Sequence, residues 1–520
     1  MTDPERLFSE NELLLTGANG FLGKVVLAVL LDRFPRFQHL HLLLRGRGGL
    51  SACDRFFEET LSTPALASIA QMKGKEFLKT KITVWPGDIS LLRCGLSDAD
   101  MNGLRGRIGL ILNCAGRVDF FPPLDDSFSA NVDGVRNVIR LAQDMDAKLL
   151  HVSTCFVCGE ADGLIEESEP ISGFYPHRRG PEDRSFDADE ELVLARKMMR
   201  QIYESDGLAG EKPKRSRELA QRLAALGKQR AATWGWVNTY TYAKSLGEQI
   251  IAAAEGLEFA IVRPAIVESA WQFPFPGWIE GGRTAAPLVL MALGGLKDWP
   301  VREDAPLEII PVDMVASGIL AVAALLLEGR HKKVYQLASA DVNPLEVGEV
   351  VTLLDAEARR RKDGDTWSRA LIDLMAGTGG RSRVRFVSEE EALNRRLKLE
   401  KGIARAQRLV GRAKTALEKA GLPGSRWVEG AAGELRKLDL RAKFREHTLG
   451  QYLPFVLQNR YLFECENIRD AYASLSDAGR QALPWRPEVI DWKEYWVKNQ
   501  IEGIEKWVQP EAVRDWSFKI

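Results

Sequence analysis

The stretch LLLTGANGFLGKVVL, residues 13–27, constrains the fold of this chain more tightly than any other. Gly17, Gly20 and Gly23 stand three apart, directly after an apolar strand-like run and at the start of a helix-like one. Glycines in that setting let the chain turn sharply and bring backbone N–H groups, with the positive end of a helix, against a pyrophosphate. Thr16, Gly17, Asn19, Gly20, Phe21, Leu22 and Gly23 are the candidate cradle. A second strand-like run, HLHLLLRGRGG, begins at residue 39 and completes a βαβ unit. It ends in Arg45 and Arg47, where an NAD site presents a carboxylate to the ribose 2′-hydroxyl. A guanidinium pairs instead with a 2′-phosphate, so NADPH is the expected cofactor. Asp88, in WPGD after a third strand, is placed either to accept from the adenine amino group or to serve as an ordinary turn residue. NCAG, Asn113 to Gly116, ends the next strand, and its small Ala115 and Gly116 let the backbone lie beside a ribose.

The alternation continues through KITVWPGD, GLILNCAG, NVIRLAQDM and KLLHVSTCFV. Strands separated by helices imply right-handed crossovers, hence an α/β fold with a Rossmann-like, doubly wound parallel sheet. After CFVCGE about 70 charged, helix-like residues intervene, too many for a structureless loop. A helical insertion over about 163–233 is therefore expected, before EFAIVRPAIV, LEIIPVDMVASGILAVAALL and KVYQLAS complete the sheet. Beyond about 345 the pattern turns helical, so residues 1–345 are expected to form the NADPH-binding domain and 346–520 a mainly helical C-terminal domain. The Gly cluster MAGTGGRSR in that region lacks both the preceding strand and the Lys-Ser/Thr of a phosphate loop and reads as a plain loop.

Bulk composition narrows the classes. A length of 520 residues suits two domains, and a net charge of -1 gives no overall pull toward nucleic acid. Six cysteines show no disulfide framework, which fits a reducing, cytoplasmic setting. Cys155 and Cys158 form a CxxC without a second ligand pair, so buried thiols are expected and no metal. The N-terminus shows no secretory pattern, and the apolar runs AAPLVLMALGGL and GILAVAALLLEG fall short of the roughly 18–20 residues that span a bilayer. Membrane contact is expected to be peripheral.

WGWVNTYTYAKSLGEQI, residues 234–250, carries the catalytic signal. On a helix, residues four apart are offset by about 40° and residues two apart by about 200°. Tyr240 therefore shares a face with Lys244, whereas Tyr242 points away and packs. An ammonium beside a phenol stabilises the phenolate and is expected to lower its pKa, which suits acid and base work near neutral pH. Upstream, HVSTCFVCG offers Ser153 and Thr154 as hydroxyl donors to a carbonyl oxygen.

These elements together resemble the extended short-chain dehydrogenase/reductase superfamily. TGANGFLGK, VSTCFV, NTYTYAKSLGEQ, IVRPAIVES, PFPGWIEG and IIPVDMVA more narrowly resemble the alcohol-forming fatty acyl-CoA reductases, and IDWKEYWVKNQIEGIEKWV resembles the end of their helical C-terminal domain. The resemblance implies Thr154, Tyr240 and Lys244 as the catalytic set, and extends the cofactor contacts to Tyr240, Lys244, Pro264 and Ile266. It implies reduction of a fatty acyl-CoA, or an acyl carrier protein thioester, through an aldehyde to a fatty alcohol of the kind used in wax ester biosynthesis. NCAG departs from the family's pattern, in which a serine often follows the asparagine, and leaves Cys114 without a role.

Two features bear on the acyl substrate. Trp271, Phe273, Phe275 and Trp278 either line an apolar channel or pack between domains. Leu393 to Lys419 holds nine Lys/Arg against two Glu, with Leu399, Ile403, Ala406, Val410, Ala413 and Leu417 at helical spacing. That is a basic amphipathic helix, suited to CoA phosphates, an acidic carrier or an anionic membrane, or simply to solvent. Three rival readings remain: a thioester reductase that stops at aldehyde, a sugar-nucleotide epimerase or dehydratase, and a catalytically silent NADPH-sensing scaffold.

Overall fold

A computed structural model describes residues 1–508 except 168–170, 179, 181, 182, 184, 185, 207–215, 283, 361–383 and 421–424. The cluster MAGTGGRSR lies outside the described residues. The chain builds a seven-stranded sheet from β1 (Glu12–Thr16), β2 (His39–Leu44), β3 (Ile82–Pro86), β4 (Ile108–Asn113), β5 (Lys148–Val152), β6 (Phe259–Pro264) and β7 (Val334–Leu337). All neighbours are parallel, in the order β3-β2-β1-β4-β5-β6-β7. The order reverses between β1 and β4, and an open α/β sheet binds its ligand at that switch, beyond the strands' carboxyl ends.

One face of the sheet is covered by α1 (Phe21–Arg33), which is buried without interruption from Gly23 to Leu31. Such an all-round apolar helix can only be interior. α2 (Gly134–Met145) lays Val135, Val138, Leu141 and Ala142 on the opposite face, against Leu14, Ile111, Leu149 and Ile261. Among its described residues the insertion forms the helices α3 (Ala188–Ser205) and α4 (Arg217–Trp234). Leu192, Ala195, Leu219, Leu223 and Leu226 from these helices pack with Trp236, Tyr242 and Leu246 around α5 (Thr239–Ala252). α6 (Val312–Glu328) is buried from Val312 to Leu326 and packs on α1.

The chain divides into two compact units, and the division differs from a single cut at 345. The sheet-bearing unit comprises Met1–Thr284, Glu308–Pro344 and Tyr461–Trp507. Hydrogen bonds explain why the last segment belongs there. Phe463 N–H donates to buried Glu308 at 2.7 Å, and Gln336 Nε2 donates to the carbonyls of Ile165 and Glu464 at 2.9 and 3.1 Å. Asn499 Nδ2 donates to the carbonyls of Ala270 and Trp271 at 3.0 and 2.7 Å.

The second unit takes in Ala285–Leu307 and Leu345–Arg460. Its main elements are two long helices, α7 (Glu389–Ala420) and α8 (Ser425–Leu453), with Ile403 buried and a Lys414–Glu429 ion pair at 3.2 Å between them. It is not wholly helical, because Asp298–Trp299 pairs with Arg385–Phe386 as a short parallel ribbon. Among the described residues no helix is long and apolar enough to cross a membrane.

Candidate active site

The glycine turn sits at the switch between β1 and β4. Gly17 adopts φ 76, and a Cβ there would lie 2.7 Å from Ala115 N and the Cys114 carbonyl carbon. A Cβ on Gly23 would lie 2.2 Å from the Gly17 carbonyl oxygen. Both positions therefore require glycine, the first for the left-handed turn and the second for close approach. Gly20 N–H donates to the Gly17 carbonyl at 2.9 Å, and α1 begins on Gly20 with no side-chain cap. Its first N–H groups are left to an outside acceptor. Phe21 and Leu22 stand half-buried at that end. Asn19 accepts from Thr60 Oγ1 at 2.8 Å, while its buried Nδ2 has no partner among the described residues.

The arginine positions end β2 as expected. Arg45 Nη1 lies 3.4 Å from Asp88 Oδ2 with its side chain 71% exposed, so two of the sequence-derived cofactor residues meet. Burial opposes ionisation of Asp88, but hydrogen bonds from Ser90 and the Arg45 guanidinium hold its pKa below the ordinary value. Arg47 is exposed in a turn closed by its own backbone with Leu50. Gly116 lies where an added Cβ would come 3.0 Å from Asn131 Oδ1, and Asn131 clamps the adjoining Arg117 backbone at 2.9 Å in both directions. Pro264 closes β6, and Ile266 N–H donates to the Glu308 carbonyl at 3.0 Å.

Thr154, Tyr240 and Lys244 converge beyond β5. Thr154 caps the short turn Cys155–Cys158, and its hydroxyl neighbours the Tyr240 phenol and acts to lower its pKa. Asn238 caps α5 by accepting from Thr241 N–H at 2.8 Å, which fixes where the helix starts and so where Tyr240 stands. Lys244, one turn on, is buried and donates to the Val152 carbonyl at 2.6 Å. Burial pushes its ammonium down to about 8, with Glu248 and Cys114 pulling the other way. Ser153, the other hydroxyl, has its N–H on the Val262 carbonyl at 2.7 Å and a buried Oγ without a partner among the described residues.

One expectation is reversed. The Tyr240 phenol is not lowered: burial pushes it up, opposed by the Thr154 hydroxyl. Lys244 spends its hydrogen bonds on Val152 and His151 instead. Tyr240 is thus held protonated at neutral pH, ready as a donor. Tyr242 is fully buried and donates to Glu191 Oε1 at 2.5 Å, in keeping with a packing role. Burial pushes the Cys158 thiol up to about 12 and the Cys155 thiol well above its ordinary value, so both stay protonated. Cys114 is likewise raised to about 12 by burial, despite Lys244.

His151, Asn131 and Asp313 escaped sequence reasoning. A histidine inside an apolar strand reads as core, and nothing in HVST marks its partner. Asp313 accepts from the N–H groups of Trp271, Gln272 and Phe273 at 2.8–3.0 Å and so shapes the aromatic loop. In that loop Trp278 is 3% exposed and packs on Phe275 and Trp507 at 5.8 and 5.3 Å, an interior contact. Trp271 and Phe273 remain half-buried.

The residues present fit a nicotinamide dinucleotide. Two glycines tolerate no side chain, a helix N-terminus stands uncapped, and Asn19 Nδ2 has no partner among the described residues.

Comparison with known proteins agrees. Residues 15–319 match the model of the Male sterility protein family. The chain is 28% identical to a probable fatty acyl-CoA reductase 4 of Arabidopsis thaliana, over 96% of this chain and 97% of that one. It is 29% identical to the alcohol-forming fatty acyl-CoA reductase of Simmondsia chinensis, over 65% of this chain and 69% of that one. Among solved structures it is similar to the terminal R domain of the myxalamid PKS-NRPS pathway, with TM-score 0.51 at 18% identity, covering 92% and 90% of the two chains, a likeness of fold. With the switch-point sheet, the glycine turn and the Thr154, Tyr240 and Lys244 cluster in place, the chain belongs to the Male sterility protein family of fatty acyl-CoA reductases and is an oxidoreductase that uses a nicotinamide cofactor.

Proposed function

We propose that the protein reduces a long-chain fatty acyl-CoA to the fatty alcohol in two NADPH-dependent steps through the aldehyde. The observation that carries this reading is the pairing of the Thr154 and Tyr240 hydroxyls one helical turn from a buried Lys244. The alcohol-forming activity in the name of the Simmondsia chinensis relative supports the second step. Arg45 and Arg47 support a 2′-phosphate over a free hydroxyl.

The bound nicotinamide supplies hydride, and the glycine turn, Asn19, Asn113, Ala115, Gly116, Pro264 and Ile266 form its site. Thr154 and Tyr240 donate to the thioester carbonyl oxygen and stabilise the negative charge that develops there. Collapse of the resulting hemithioacetal expels the thiol and leaves the aldehyde. In the second step Tyr240 passes its proton to the oxygen that becomes the alcohol. Lys244, held by Val152 and His151, fixes the geometry of the site beside Tyr240. The half-buried Trp271 and Phe273 offer apolar surface for the acyl chain.

Purified protein with NADPH and a series of acyl-CoAs tests this. The expected result is alcohol, with two NADPH oxidised per product; aldehyde with one NADPH oxidised would assign the protein to aldehyde release instead.

A further inference from the structure

The register of the sheet lines up three polar side chains, the last of which meets Lys244. Thr16 on β1 is paired with Asn113 on β4, and Asn113 with His151 on β5, all at the carboxyl ends of their strands. Side chains at matched positions of parallel neighbours share one face. The result is a continuous chain of contacts inside the protein. Ala115 N–H donates to Thr16 Oγ1 at 3.2 Å, Thr16 Oγ1 meets the Asn113 amide at 2.7 Å, and that amide meets His151 Nδ1 at 2.9 Å. His151 Nε2 then lies 3.1 Å from Lys244 Nζ. Thr16, Asn113 and His151 are all fully buried, so no water completes these bonds in their place.

Such a chain has only two self-consistent arrangements. In the first, Thr16 donates to Asn113 Oδ1, Asn113 Nδ2 donates to His151 Nδ1, and the imidazole proton sits on Nε2, facing Lys244. That arrangement suits Lys244 only as the free amine, whose lone pair accepts. In the second, the amide is turned over: Nδ2 donates to Thr16, Oδ1 accepts from His151 Nδ1–H, and Nε2 accepts from the Lys244 ammonium. An ammonium has three donors and no acceptor, so it enforces the second. Burial and the neighbouring Lys244 hold His151 well below its ordinary pKa, so the imidazole stays neutral in both and only its tautomer changes.

We propose that His151 is a positioning residue for the reduction site: its Nε2 accepts from Lys244 Nζ and, through Asn113, ties the charge of Lys244 to Thr16 in the glycine turn. The other groups facing Lys244 are the Cys114 thiol beyond β4, Glu248 on its own helix and the Val152 carbonyl. Glu248 is already bound to Arg263 of β6 at 2.6–3.2 Å, and Cys114 is kept protonated by burial. Of the neighbouring side chains, the neutral histidine is therefore the acceptor left to steady the ammonium. This inference rests on the reading of Lys244 as part of the reduction site.

A pair of substitutions separates the two ring nitrogens. In His151→Gln the amide oxygen reaches the place of Nε2, whereas in His151→Asn the shorter side chain keeps only the place of Nδ1. The alkaline limb of the kcat/KM profile is expected to move down by about one pH unit in His151→Asn, the scale of one hydrogen bond to an ionised group, and to stay near the wild-type position in His151→Gln. Independently of turnover, the imidazole 15N spectrum of the cofactor-free protein is expected to show His151 with its proton on Nδ1 at pH 6.5. The Nε2 resonance should shift as Lys244 titrates near pH 8, while Lys244→Met abolishes the change. A His151 that carries its proton on Nε2 at pH 6.5, or equal limbs in the two variants, overturns the proposal. The spectral arm needs no substrate, so a failure of the acyl-CoA reading would leave it standing.

Discussion

Tyr242 Oη and Glu191 Oε1 are 2.5 Å apart, and that one carboxylate also holds Arg230 at 2.9 and 2.5 Å and the Trp234 indole at 3.0 Å. Glu191 lies on α3, Arg230 and Trp234 on α4, and Tyr242 on α5, so the insertion grips the helix that carries Tyr240 and Lys244. Replacing Glu191 by Ala leaves Arg230 buried without its counter-ion, which costs about 3–5 kcal/mol. A clear fall in the denaturation midpoint is expected, with Glu191→Gln milder. A midpoint equal to wild type for Glu191→Ala would show that the insertion does not brace α5.

Tyr240→Phe removes the donor while keeping the ring. Turnover of acyl-CoA and of added aldehyde should both fall by at least about 100-fold. Thr154→Ala should fall by a similar factor with KM little changed, since its hydroxyl acts on the developing charge. Near-normal aldehyde reduction by Tyr240→Phe would remove Tyr240 from the second step.

Arg45→Ala and Arg47→Ala address the 2′-phosphate. Each is expected to raise the KM for NADPH roughly tenfold, as loss of a charge-assisted hydrogen bond does, and to leave the KM for NADH almost unchanged. Equal effects on both cofactors would mean that neither guanidinium reads the phosphate.

Lys244 makes activity and stability respond to pH with opposite signs. Its pKa is lowered by burial from 10.5 to about 8, so the cation is lost as pH rises through about 8 and kcat/KM should fall there. Between about 8 and 10.5 the unfolded chain binds this proton and the folded chain does not, so the same group adds stability as pH rises through that window. Parallel kinetic and denaturation profiles, with Lys244→Met as the control, check both limbs.

On α7, Arg405 and Arg408 are exposed, and the Arg408 Nε donates to the Ala404 carbonyl at 3.2 Å. Reversing both to Glu is expected to raise the KM for acyl-CoA several-fold, because CoA is a polyanion. An unchanged value would identify this face as merely solvated.

Much of the sheet was legible because β1, β2 and β4 are apolar runs bounded by glycine or turn residues, and because Gly17 and Gly23 permit no side chain where they stand. Helical phase also set Tyr242 apart from Tyr240, and Tyr242 is buried on Glu191. What the sequence hid was long-range. The bond from Phe463 N–H to Glu308 spans 155 positions, and that from Lys244 to His151 spans 93. Local periodicity carries no information about such partners, so the return of residues 461–507 to the sheet and the role of His151 could only appear in three dimensions. The raised Tyr240 pKa was missed for a related reason: two residues on one helical face can still direct their polar atoms to different neighbours.

That late return also sets a timetable for biosynthesis. Glu308, Gln336, Ala270 and Trp271 complete their hydrogen bonds with Phe463, Glu464 and Asn499, so the unit bearing the glycine turn closes fully only once those residues are made. Domains usually mature in order as they leave the ribosome. Here part of the first unit to be translated must wait for nearly the whole polypeptide, with one hydrogen bond of its buried carboxylate and one of its amide unmade until then. A nascent chain stalled at residue 460 should therefore remain protease-sensitive and bind no dinucleotide, although every residue of the glycine turn has long been made.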